Sequence, residues 1–443
     1  MELSKLKEVL RNSGIVGAGG AGFPSYGKLD SRADTIILNC AECEPLLKLH
    51  RQVLQKYAAE ILTALNEVAA AVSAERIIIA IKPGYKEAVE AVKAQLPSFP
   101  KAQIGLLPEI YPAGDEVVTI YETTGRLVAP GALPITVGVT VFNVETAYNI
   151  YRALFENAPV THKYITIAGA VANPITLLAP LGVTYGSLIE QAGGATVSAP
   201  VLIGGGPMTG RIVSRDDVVT KTSNAVLVMP QSAYIVLKRT TPVKIDLKRI
   251  MAACCQCHMC TDLCSRNLLG MPIEPHKIMR SVSVGSPNDS AACLDSFFCS
   301  SCGLCEMYSC GQGLNPRTVI GEIKGGLRAN GIKPPAAQSA PVNSMRSARR
   351  VPMSRLTARL GLSKYDVPAP LDEKELPAES VKIMLSQHIG APAAAAVKQG
   401  DIVSAGDVIG NAPEDKLSVS VHTPISGKIA AVTERYVIIS KKA

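Results

Sequence analysis

The sequence predicts an α/β multidomain protein. Its 443 residues are too many for one core and suit about three domains. In residues 1–150, apolar β-rich runs alternate with stretches of helical spacing. Eight of the twelve cysteines then fall in two short runs, which mark a separate metal-binding segment.

Composition narrows the function. Lys plus Arg is 45 and Asp plus Glu 37, so the net charge of +8 is too mild to argue for nucleic acid. Trp is absent and aromatics are 4%, which disfavours a surface that stacks bases or sugars. Apolar residues at 47% exclude wholesale disorder. The basic excess is local. Lys324, Arg328, Lys333, Arg346, Arg349, Arg350, Arg355, Arg359 and Lys364 occur with no acid between Glu322 and Asp366. That stretch reads as a solvated linker, with a docking patch for an acidic partner as the alternative. The first ten residues are charged and helical in pattern, without the apolar core of a secretory signal. No run of about 18 apolar residues occurs, so a cytoplasmic protein without a transmembrane segment is expected.

The N-terminal elements follow in order. Residues 2–13 read as a helix. Gly17, Gly19, Gly20 and Gly22 then form a loop whose amides can approach an anion, and Lys28 adds a point charge suited to phosphate. No strand precedes this loop, so it is not the dinucleotide fingerprint of a βαβ unit. Thr35–Cys40 is a strand that ends in polar groups at Asn39, Glu42 and Glu44, where open α/β sheets bind ligands. Cys40 and Cys43 read as small buried residues rather than a redox dithiol. Residues 51–72 read as one helix, 76–81 as a buried strand and 85–96 as a further helix. The Tyr111, Gly114, Asp115, Glu116 turn precedes a helix ending near Gly125, and 139–146 is a strand running into a helix.

The cysteines carry the sharpest signal. Cys254, Cys257, Cys260 and Cys264 form one run, and Cys299, Cys302, Cys305 and Cys310 the other. Zinc usually takes two separated Cys pairs. Three thiols at successive spacings of three, with a fourth shortly after, suit a cubane, because a tight loop turns three thiolates to one face. Two 4Fe–4S clusters are therefore expected, with structural zinc as the alternative. The runs resemble bacterial two-cluster ferredoxins, in which the fourth Cys of each run ligates the other cluster. That resemblance implies one set of Cys254, Cys257, Cys260 and Cys310, and another of Cys299, Cys302, Cys305 and Cys264. The sequence departs at Ser265 and Gly311, where those ferredoxins have Pro, and by one extra residue before Cys310. Cys255 could replace Cys254. Cys293 reads as a buried thiol, and His258 and His276 as non-ligands.

The motifs GAGGAGFP, Asn39 to Pro45, Tyr111 to Glu116 and Asn143-Val-Glu-Thr occur in one order. In that order they resemble the FMN- and NADH-binding subunit of respiratory complex I, and still more the C subunit of Rnf complexes. The resemblance covers about residues 1–330. It implies a Rossmann-like flavin domain over 1–160, with FMN held by Gly17, Gly19, Gly20, Lys28, Asn39 and Asn143. NADH would stack near the catalytic candidates Glu42 and Glu44 and near Tyr111, Gly114, Asp115 and Glu116. Glu145 and Thr146 complete the cofactor set, with a helix-start carboxylate as the alternative role of Glu145. Ala18 and Ala41 stand where the complex I subunit has Arg and Asp.

Residues 161–240 resemble the soluble ligand-binding β-grasp (SLBB) module of the same family, and 241–332 would be the α-helical, ferredoxin-type cluster domain. Val201–Gly210 reads as a strand and tight turn rather than a phosphate loop. Residues 333–379 form the basic linker, with a short helix near 353–365 expected to pack on the body. Residues 380–443 resemble a barrel-sandwich hybrid, the biotinyl/lipoyl-like fold, but lack the modifiable Lys; His422-Thr-Pro stands in that region. This C-terminal placement resembles the cobalamin reductases of propanediol-utilisation microcompartments. The resemblance implies an NADH-dependent relay through FMN and two clusters to cob(III)alamin, inside a microcompartment. Adenosyltransferase, shell proteins and a second copy of the chain are the implied partners. An Rnf-type subunit feeding ferredoxin, or a non-catalytic cluster scaffold, are the alternatives.

Overall fold

The computed structural model describes residues 1–284 and 289–441. Its first unit is built on a four-stranded parallel sheet. Thr35–Cys40 and Val139–Asn143 lie side by side, with Arg76–Ile81 and Ala102–Leu106 following on the far side of Thr35–Cys40. Ile36, Ile37 and Leu38 are fully buried, as a strand covered on both faces requires. The strand order reverses between Thr35–Cys40 and Val139–Asn143, which opens a crevice at their carboxyl ends. Asn39 and Asn143 are register partners at that point.

Helices Leu3–Asn12, Ala58–Val72 and Val144–Phe155 pack together on one side of the sheet. The single helix expected over 51–72 is two, Leu49–Lys56 and Ala58–Val72. The chain breaks at Tyr57 (φ −118°, ψ 36°), whose ring stacks on Tyr148 at 4.2 Å. Both helices bury apolar residues toward the same core, so helical spacing runs through the break unseen.

The second unit is a six-stranded mixed sheet with helix Tyr185–Gln191 beside it. Its central strands are His162–Gly169 and Ala225–Met229. One edge strand, Leu371–Asp372, is supplied by the distant linker. The cysteine segment is helical, framed by Val243–Ala253, Pro275–Ser283 and Pro316–Ala329. The tail forms two small sheets of four and three strands.

The basic stretch is not a free solvated linker. Arg346 and Arg350 both pair with Glu122, and Arg349 lies 3.2 Å from Asp262. Val351–Pro352 pairs with Ile110–Tyr111, and Leu356, Leu360 and Leu362 are buried. The partners of these arginines lie more than 80 residues away, so local sequence gives no hint of them. Among the described residues, no helix is long and apolar enough to cross a membrane.

Candidate functional site

A cavity of about 470 Å³ opens at the crevice between the two central strands. That volume suits a small organic cofactor. The glycine loop forms one wall: Val16 bridges Pro24, and Gly17 N donates to Phe23 O at 2.9 Å. Thr146 pins the loop by accepting from Ala18 N at 2.9 Å. A methyl group on Gly19 would overlap the Asn143 amide, so only glycine fits that wall. Asn143 is itself held at both ends. Its Oδ1 caps the following helix at Glu145 N (3.0 Å), and its Nδ2 faces His50 Nε2 at 3.1 Å.

Of the predicted cofactor residues, Gly17, Gly19, Gly20, Lys28, Asn39, Glu116, Asn143 and Thr146 line the cavity. Phe23, Asp30 and the turn Leu133-Pro134-Ile135 also line it and were not anticipated. Phe23 sits within the glycine motif, so the motif could have pointed to it; the 133–135 turn carries no local signal. Lys28 Nζ bonds Glu116 Oε1 at 3.1 Å and Val141 O at 2.9 Å, so its charge is shared within the wall.

Six predicted residues lie behind the cavity rather than in it. Glu44, expected beside nicotinamide, accepts from Met208 N (2.8 Å), Thr209 N (2.9 Å) and the Thr209 hydroxyl (2.5 Å) of the β-grasp turn. That turn is an internal docking loop. Burial raises the Glu44 carboxyl, and these donors counter the rise. Glu42 is buried in a left-handed turn (φ 36°) and accepts from His50 N at 2.7 Å. Its Oε2 makes no hydrogen bond and faces Arg51 Nε at 3.4 Å. Burial raises its pKa, and Arg51 works against that. Glu145 is only 1% exposed and pairs with Lys163 of the neighbouring unit. Gly114 gives its carbonyl to Asn39 Nδ2 at 3.0 Å. Asp115 caps helix Glu116–Thr124 and pairs with Arg266. Tyr111 donates its hydroxyl to Cys302 O. The last two tie the flavin-type unit to the cysteine segment.

Cys254, Cys257, Cys260 and Cys310 line one small cleft, which Cys255, His258 and His276 also line. The two imidazoles stack on each other at 3.8 Å. Burial pushes the Cys260 thiol up to about 12, and neighbouring Cys310, Cys254 and Cys257 add to the rise. Around the other run, burial lifts Cys264 to about 11, with Cys299 beside it. Cys302 and Cys305 are raised further by burial, with Cys264 and Cys299 as neighbours. Thiols that burial and one another keep from ionising are a donor set whose charge a cationic iron cubane would neutralise. Among the described residues, no three His, Cys, Asp or Glu groups converge tightly enough to hold a lone ion. Cys40 is buried and Cys43 half-buried, and burial raises both thiols, which suits inert packing.

Fold and site together define a flavin- and iron–sulfur-bearing oxidoreductase. The Nuo51 FMN-binding domain family matches residues 10–152 and the SLBB domain 164–212. The 4Fe-4S dicluster domain matches 253–315, and the RnfC barrel sandwich hybrid domain 367–443. The chain is 38% identical over 440 residues to cobalamin reductase PduS of Salmonella typhimurium, spanning 99% of this chain and 97% of that one. The Citrobacter freundii cobalamin reductase PduS is 39% identical over 435 residues, with 98% and 96% covered. The C subunit of the Na(+)-translocating ferredoxin:NAD(+) oxidoreductase complex of Acetobacterium woodii is 32% identical over 283 residues, or 62% and 61% of the two chains. The chain belongs to the cobalamin reductase PduS family.

Proposed function

We propose that this chain is an NADH-dependent reductase that carries cob(III)alamin to cob(II)alamin and cob(I)alamin. The near full-length likeness to two cobalamin reductases carries the substrate. The likeness to cobalamin reductases supports a place in a bacterial microcompartment, and an adenosyltransferase and shell proteins are the partners proposed for it there.

FMN supplies the exchange between a hydride's electron pair and single electrons, which iron–sulfur clusters accept one at a time. Gly17, Gly19 and Gly20 would present backbone to its phosphate, with Lys28, Asn39, Glu116, Asn143 and Thr146 completing the wall. Glu42, Tyr111, Gly114 and Asp115 act one step behind, as positioning groups, while Glu44 and Glu145 hold neighbouring units together. The thiols of Cys254, Cys257, Cys260 and Cys310 would hold one cluster, and those of Cys264, Cys299, Cys302 and Cys305 the other. The second set is anchored to the flavin-type unit through Tyr111 and Arg266. The first set opens to solvent at Cys257 and its neighbour Cys255, where an external acceptor can approach.

The test is spectroscopic. Protein reconstituted under argon with FMN, iron and sulfide is mixed with NADH, and flavin bleaching is followed. Hydroxocobalamin is then added and its reduction is read from its visible spectrum. Absence of bleaching overturns the NADH reading. Bleaching with ferredoxin reduced and cobalamin untouched favours an Rnf-type role.

A further inference from the structure

Lys238 lies on helix Tyr234–Thr240 and is 7% exposed. Its Nζ donates to Gly313 O at 2.7 Å, Leu314 O at 3.0 Å and Asn315 Oδ1 at 2.7 Å. Three acceptors use all three hydrogens of an ammonium, one more than a neutral amine has. Arg249, exposed on helix Val243–Ala253, donates to the same Gly313 carbonyl at 3.2 Å. Gly313 adopts φ +63°, a left-handed conformation that glycine takes without strain. The N–H of that same peptide belongs to Leu314, and it donates to Cys310 Sγ at 3.4 Å. Fully buried Asn315 continues the network to both oxygens of Asp246, at 3.0 and 2.9 Å.

We propose that Lys238 and Arg249 polarise the Gly313–Leu314 peptide, strengthen its N–H bond to the Cys310 sulfur, and raise the potential of the cluster held there. Cations at the carbonyl oxygen draw electron density from the amide nitrogen, so its hydrogen becomes a better donor. A better donor stabilises the added negative charge of the reduced cluster. The step is a one-electron reduction, with no bond made or broken.

Among the described residues, no lysine or arginine donates to the carbonyl of a peptide whose N–H reaches a sulfur of the other cysteine set. Lys324 does bind the Cys299 carbonyl at 2.9 Å. The N–H that reaches Cys299 Sγ, at 3.3 Å, is that of Ser301, one peptide further on. The two positioning residues thus bias the solvent-facing set to receive electrons from the set against the flavin-type unit. The inference rests on the reading of Cys310 as a ligand.

Redox titration of the reconstituted full chain, followed by electron paramagnetic resonance, tests it. Lys238→Met should lower the midpoint of one cluster by about tenfold in its reduced-to-oxidised ratio, or about 59 mV for one electron. Arg249→Gln should lower the same midpoint by less, and Lys238→Arg should restore most of it. The second cluster should not move, and the iron count should stay at about eight per chain. Unchanged midpoints in both Lys238→Met and Arg249→Gln overturn the proposal. If Lys238→Met loses iron, Arg249→Gln decides, because its side chain is exposed. A Cys310→Ala chain that keeps all its iron and an unaltered spectrum removes the ligand reading itself, and the proposal with it.

Discussion

Asp115 and Arg266 meet in a two-pronged ion pair, with Nε to Oδ2 and Nη2 to Oδ1 each at 2.9 Å. Asp115 starts the helix that flanks the cavity, and Arg266 lies two residues past Cys264. One carboxylate therefore caps a helix of the flavin-type unit and clamps the cysteine segment. Planar guanidinium recognition of this kind gives orientation as well as energy.

Asp115→Ala should cost about 1 kcal/mol for the lost cap, plus the loss of the clamp. Arg266→Lys keeps the charge but not the fork. It should slow transfer from reduced flavin to the clusters while flavin and iron contents hold. Stopped-flow absorbance at flavin and cluster wavelengths reads both, and an unchanged transfer rate in Arg266→Lys would show that the clamp does not set the spacing.

Glu145 and Lys163 are each 1% exposed and pair across two units. Glu145→Ala should destabilise the protein by about 3–5 kcal/mol, because it strands a buried ammonium. Glu145→Leu combined with Lys163→Met should recover much of that loss. Flavin affinity of the double variant should match the parent, since neither side chain lines the cavity. Thermal unfolding and flavin titration measure the two effects, and weak FMN binding by a stable double variant would return Glu145 to the ligand set.

His50 gives a pH dependence. Burial, with Lys163 nearby, pulls its pKa from 6.5 to about 3. Between those values the unfolded chain binds a proton that the folded chain does not, so stability falls as pH drops through that window. Charging His50 would also turn Nε2 into a donor facing the Asn143 amide, 3.1 Å away. FMN should be released in the same window, read as rising flavin fluorescence. His50→Gln should flatten that part of the curve.

Gly19→Ala should abolish flavin retention at little cost to the clusters. The new methyl would meet the Asn143 side chain, which is fixed by its cap and by His50. Flavin and iron content after reconstitution measure this; full FMN occupancy in the alanine variant would move the cofactor away from this wall.

Glu44→Ala should loosen the β-grasp turn, because the carboxylate accepts from Met208 and Thr209. Backbone amides left without an acceptor cost about 1–3 kcal/mol. Flavin bleaching by NADH in a folded Glu44→Gln chain should stay within a few-fold of the parent. A collapse of bleaching with stability retained would restore Glu44 to the chemistry.

Much was legible in the sequence because it is local. Apolar β-branched runs such as Thr35–Cys40 declare buried strands, and the spacing of Cys254, Cys257 and Cys260 declares a thiol-lined loop, whatever surrounds them. Glycines 17–22 announce a close backbone approach on the same grounds. The destination of long polar side chains was not legible. Glu44, Glu145, Arg346 and Lys238 find partners 18 to 224 residues away, and no periodicity encodes such distances. By itself the sequence determined the strand Thr35–Cys40, the glycine loop and the two thiol runs, since backbone sterics and apolar spacing act over a few residues. It did not determine the break at Tyr57 or the edge strand Leu371–Asp372. Only the tertiary structure decided which charges face the cavity and which are spent holding units together, because a buried charge is settled by whatever partner folding brings beside it.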